Sequence, residues 1–199
     1  MGIAARSVHA LTMDDAPATA ASASPTATAP VPSAAPERHA YGSPDAPVTV
    51  TEYGDLECPH CRAAAPVLRE LVDTSGGQVR LVWRHFPLFE VHPHALTAAL
   101  ASEAAAAHGR FWDLHDLCFA DQGHLADADL RRHATTLGLD PAAFAGAGAQ
   151  RYAPAVESDY LAGLAAGVQG TPTLFVGGTR FRGRVELAAL REAVAAATA

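Results

Sequence analysis

Cys58-Pro59-His60-Cys61 stands where a β-prone run, 48–53, gives way to an amphipathic helical pattern over 59–74. Two sulfurs at that junction lie within one helical turn. Cys58 takes the helix N-terminus, where unpaired N–H groups and the positive end of the dipole favour an anion. A thiol placed there has its pKa lowered from about 8.5 and becomes a redox nucleophile, whereas a structural staple has no need of that position. Local topology follows as well. Gly76-Gly77 end the helix, and 78–86 reads as a second strand with Val79, Leu81 and Trp83 on one face. Strand–helix–strand with a short return implies a parallel pair with a right-handed crossover. Pro66 sits inside the helix, where a lost hydrogen bond and a ring clash predict a kink.

From His92 to about Val168 the pattern is helical, over 93–107, 110–120, 127–137, 141–149 and 154–167. Gly109, Gly123, Gly138 and Asp140-Pro141 punctuate it. The chain then returns to β over 173–176, turns at Gly177-Gly178 into a hairpin partner at 179–182, and closes with a helix over 186–197. The order β-α-β, helical block, β-β-α describes one α/β domain over 41–199, interrupted by a helical insertion at about 92–168. At 199 residues and 49% hydrophobic, the chain is long enough to bury such a core. Residues 16–36 contain only Ala, Pro, Ser, Thr and Val, so 1–40 reads as a disordered tail.

That order, with C-x-x-C after the first strand of the unit, resembles the thioredoxin superfamily. The helical block resembles that of its bacterial DsbA-type thiol:disulfide oxidoreductases. Cys58-Pro59-His60-Cys61 carries the central dipeptide of the archetypal DsbA, and Gly170-Thr171-Pro172-Thr173, about 110 residues on, matches the loop whose cis-proline faces the active site. Glu52, six residues before Cys58, falls where the superfamily keeps a buried acid, and Pro66 where it kinks the helix. The lead-in 42–50 (GSPDAPVTV) is typical of the DsbA-like branch. The resemblance implies a thioredoxin-like fold, a central mixed β-sheet flanked by helices with a helical insertion. It also implies a cis Thr171–Pro172 bond beside the dithiol, Thr171 and Pro172 contacting the substrate chain, and Glu52 relaying a proton for Cys61.

The position of Cys58 makes it the expected exposed nucleophile, and Cys61, one turn inward, the resolving thiol. Pro59 and His60 tune the pair, with the His60 imidazole expected to add a donor or a charge beside the sulfur. Stabilising the thiolate stabilises the reduced form, so the pair reads as an oxidising dithiol. The expected partners are protein or peptide thiols and disulfides, together with a redox partner; no cofactor is implied. The alternative is a non-enzymatic peptide-binding or chaperone module on the same fold. Binding alone needs no second thiol, which speaks against it.

Net charge −7 argues against a nucleic-acid partner, which needs a basic face, and no run approaches a membrane span. No second ligand pair stands at zinc-finger spacing, so no metal is expected; His92, His94, His108, His115 and His124 read as scattered side chains. Cys118, at helical spacing with Leu114 and Phe111, reads as a core thiol. The first fifteen residues lack the apolar core of a secretory signal, which favours a cytoplasmic location. There the pair would reduce or isomerise disulfides; exported, it would oxidise them.

Overall fold

A computed structural model describes residues 38–198. Its sheet has five strands in the order β1-β3-β2-β4-β5. These are β1 (Ala40–Gly42), β2 (Val48–Gly54), β3 (Val79–His85), β4 (Thr173–Val176) and β5 (Thr179–Arg180). β2 and β3 are parallel, joined by α1 (Pro59–Asp73), and β4 runs antiparallel to β2 with Glu52 opposite Leu174. The insertion supplies α2 (Ala95–Ala106), α3 (Phe111–Ala120), α4 (Asp127–Thr136) and α5 (Ala153–Ala165); α6 (Leu187–Thr198) closes the chain.

Alternation along the strands divides the core. Val48, Val50, Val79, Leu81, Leu174 and Val176 meet Leu68 and Leu71 of α1 and Leu190 of α6. Farther along the same face, Trp83 joins Cys58, Cys61 and the insertion residues Leu114, Cys118 and Leu130. Period-2 strands pointing one apolar row at period-3.6 helices is what the sequence pattern predicts. The dithiol therefore sits where the thioredoxin-like half meets the helical insertion.

The segment 141–149 is not one helix but short 3-10 turns, Pro141–Ala143 and Gly146–Gly148, followed by Gln150–Tyr152. Gly146 has φ +59, which breaks a continuous α-helix, and Gly148 packs against the Ala142 carbonyl where a Cβ would collide. The hairpin partner is shorter than expected, two residues, after Gly177 and Gly178 turn with positive φ. α1 continues through Pro66.

Most of the expected tail, 1–37, lies outside the described residues. Residues 38–40, also assigned to it, belong to the fold. Arg38 reaches Asp159 at 2.9 Å, His39 stacks on Phe111 at 3.8 Å, and Ala40 begins a strand antiparallel to β3. A three-residue strand that opens on alanine is too short to show a period in the sequence.

Candidate active site

Asp55, Leu56 and Glu57 form the loop that carries β2 into α1. Cys58 is the helix N-cap, at φ −75 and ψ 122, and Pro59 occupies the first helical turn, where its missing N–H costs nothing. Cys58 is not exposed as expected: it is 3% accessible, and Cys61 0%. The cause is the loop Gly170–Pro172, which lies against it; the Cys58 Sγ–H donates to the Thr171 carbonyl at 3.4 Å. The Thr171–Pro172 peptide is cis. His60, Ala63, Thr171, Pro172, Arg184 and Val185 line a cavity of about 480 Å³ beside the pair.

The two thiols are driven in opposite directions. A hydrogen bond from Cys61 is the largest effect on Cys58. Burial opposes it, while the backbone N–H groups of Cys61 and His60 assist, and the pKa falls to about 5. Donors aimed at the sulfur outweigh both burial and the carbonyl that accepts from the neutral thiol. Cys61 is pushed well above the usual thiol value, by burial first, then by its bond to Cys58 and by the charge of Glu52. At neutral pH one sulfur is a thiolate and its neighbour keeps its proton. Cys118, wholly buried, is raised to about 12 by desolvation and stays a core thiol.

Glu52 lies on β2 with 1% exposure, and its Oε1 has no hydrogen-bond partner. Burial, then the charge of Cys58, lifts its pKa to about 8. A raised carboxyl penalises the folded state once the group ionises, so the cost enters as pH rises above about 4.5 and is complete above about 8. Glu52→Gln should therefore raise the melting temperature at pH 8 by several degrees and leave it nearly unchanged at pH 4.5. Thermal unfolding at the two pH values checks this.

The His60 backbone N–H is among the donors that lower the Cys58 pKa, and its imidazole is exposed. His60→Ser keeps the backbone donor, so the Cys58 titration, followed at 240 nm, should move by less than about half a unit.

Sequence reasoning missed the supports of the loop. The Asp55 carboxylate is buried and accepts three donors: Glu57 N at 2.8 Å, Leu88 N at 2.9 Å and His92 Nδ1 at 2.7 Å. Glu57 in turn accepts from His94 N, and Gln122, between α3 and α4, donates to the carbonyls of Leu56 and Cys58 at 3.0 and 2.9 Å. The only sequence signal was an acid three residues before a redox cysteine.

The family model described as Thioredoxin matches residues 34–196, most of the chain. A thioredoxin-like oxidoreductase from Silicibacter pomeroyi superposes at TM-score 0.70 with 30% identity, covering 82% of this chain and 94% of that one. Pseudomonas aeruginosa DsbA2 superposes at TM-score 0.60 with 27% identity over 79% of this chain and 92% of its own. The chain belongs to the DsbA-like branch of the thioredoxin superfamily.

A second similarity is of another kind. The Na(+)/H(+) antiporter NhaA 1 of Salinispora arenicola is 47% identical over 170 residues, 82% of this chain but only 25% of the antiporter. The DsbA-like chain thus spans about a quarter of the length of the curated relatives it matches. Among its described residues no helix is long and apolar enough to cross a membrane. The cytoplasmic expectation finds no support in these likenesses.

One polar trio of this DsbA-like domain has the outline of a metal site. Donor atoms of His39, His85 and Glu103 lie within 4.8 Å of one another. The Trp83 indole, a donor only, gives its proton to His85 Nδ1 at 3.1 Å. His85 Nε2 then carries the ring proton and faces Glu103 Oε1 at 3.4 Å, while His39 Nε2 lies 2.8 Å from the same oxygen and Arg38 3.4 Å. Its tautomer and the arginine suit a hydrogen-bond cluster that holds the N-terminal segment on α2, not a cation.

Proposed function

We propose that this protein exchanges disulfides with protein or peptide substrates through Cys58 and Cys61. The observation that carries the reading is the split between the two thiols, a thiolate at the helix N-terminus backed by a protonated neighbour. Oxidised, the pair is attacked at Cys58 by a substrate thiolate. The Cys58–Cys61 bond breaks, a mixed disulfide forms, and Cys61 leaves as a thiolate that takes a proton. In the reverse direction Cys58 attacks, and Cys61 must lose that proton to resolve the intermediate. Glu52, buried with its Oε1 unpartnered, accepts it when ionised. Thr171 and Pro172, together with the cavity beside His60, take the substrate chain.

Direction follows from the same split. Each unit by which the thiolate is favoured makes the disulfide about 30 mV more oxidising. With Cys58 near 5, the reduced form is strongly favoured, so the chemistry is that of a disulfide donor. Such a donor is useful where the redox poise leaves it oxidised, outside the cytoplasm. The resemblance to a quarter of an antiporter fits a domain that works beside a transporter, since the shared part carries no helix able to span a membrane among its described residues.

Equilibration with glutathione buffers, read by alkylation and mass, tests the direction. A potential above about −150 mV supports a donor; one near −270 mV makes it a reductase.

A further inference from the structure

We propose that His92 is a positioning residue of the dithiol, fixing the Asp55–Cys58 loop through the Asp55 carboxylate and, when protonated, cancelling that buried negative charge beside the nucleophile. The inference rests on the proposed disulfide exchange and adds to it a source of pH dependence.

The geometry is specific. Asp55 stands three residues before Cys58, and its own carbonyl accepts the Cys58 N–H at 3.1 Å. Its carboxylate is wholly shielded from solvent, while His92 is 20% exposed. Because a carboxylate only accepts, the 2.7 Å contact makes His92 Nδ1 the donor and leaves Nε2 free to gain or lose a proton at the protein surface. Left unpaired, a buried carboxylate here would repel a thiolate at Cys58; paired with an imidazolium, it does not.

The groups that act on His92 are Asp55, Cys58 and Glu57, all from the active-site loop. Burial works against its charged form, but the Asp55 hydrogen bond and charge, then Cys58 and Glu57, outweigh it and raise its pKa. Formation of the Cys58 thiolate therefore favours proton uptake by His92. When a substrate dithiol reduces the protein, the Cys58–Cys61 bond breaks and a substrate disulfide forms. Of the two substrate protons one goes to Cys61, and the other, released because Cys58 remains a thiolate, goes to His92 where its imidazole is neutral and otherwise to solvent.

Reduced and oxidised protein, wild type, His92→Gln and His92→Ala, would be titrated at 240 nm and equilibrated with glutathione at pH 6 and pH 8.5. The glutamine amide can still donate to Asp55, so His92→Gln should keep the melting temperature within a few degrees, whereas His92→Ala should lower it. Against this intact fold, His92→Gln should raise the Cys58 titration midpoint. At pH 6 it should make the disulfide about threefold to tenfold harder to reduce, and the difference should shrink at pH 8.5, where a larger share of the wild-type imidazole is uncharged. A His92→Gln protein that matches wild type at both pH values, or differs from it equally at both, overturns the inference. The 240 nm titration needs no substrate, so it still decides the point if wild-type protein fails to exchange disulfides, a failure that would count against the proposed activity alone.

Discussion

Cys58→Ser should slow the reduction of insulin disulfides at pH 7 by at least about a thousandfold, because neither remaining thiol can replace the nucleophile. Cys61 is buried and held well above the ordinary thiol value, and Cys118 is raised to about 12. At pH 7 a thiol of pKa 12 is ionised to only about one part in 10⁵. Cys61→Ser should behave differently. It keeps the attacking sulfur but removes the group that resolves the intermediate, so mixed disulfides should accumulate at Cys58 and disappear when Cys58 is also replaced. Non-reducing electrophoresis and peptide mass mapping read both results. In Cys61→Ser the Cys58 thiol should also titrate above 5, since the bond from Cys61 is the largest single cause of the lowered value and a serine hydroxyl only partly replaces it. Rapid exchange by Cys58→Ser would reverse the assignment of the nucleophile.

The parts of this site that the sequence displayed are those whose chemistry is carried by neighbours in the chain. A cysteine pair at a strand–helix junction and a Gly-Thr-Pro before a strand announce themselves locally, and both stand at the site. The burial of Glu52 was implied by the family resemblance, and it is buried on the same face as Val48 and Val50. His92, Gln122 and Asp159 were not legible. Each meets its partner across tens of residues, and nothing in composition or periodicity marks one polar residue of a helical block as the one that turns inward. His60 is conspicuous between two cysteines, and its backbone N–H is one of the donors that lower the Cys58 pKa. The missed 3-10 turns at 141–149 reflect two glycines whose conformations and close contacts depend on tertiary packing.

Asp159→Ala should lower the unfolding free energy by about 3–5 kcal/mol, more than any surface change in this chain. Asp159 lies on α5 with 1% exposure, on the side of the sheet opposite Trp83. Its two oxygens accept from Arg38 Nη2 at 2.9 Å, Arg84 Nη1 at 3.0 Å and the His85 backbone N–H at 3.2 Å. Truncating it removes the shared anion between two arginines, one of them 9% exposed and the other 27%, and strands a backbone donor at the end of the interior strand β3. The cost is that of removing the shared anion from a buried charge cluster, which exceeds what a single ion pair itself contributes. Asp159→Asn keeps the shape and one acceptor and should lose about half as much. Urea unfolding with a constant m-value measures both losses. The consequence reaches the N-terminal segment as well: Arg38 is held by Asp159 and by the Ala155 carbonyl, and also approaches Glu103 at 3.4 Å. Hydrogen exchange at β1 should accelerate in Asp159→Ala before the dithiol region opens, because the first link broken joins α5 to the segment 38–42, while the Asp55, Gln122 and Thr171 contacts around Cys58 are untouched. Equal acceleration throughout the chain would mean that the network holds the whole domain as one cooperative unit.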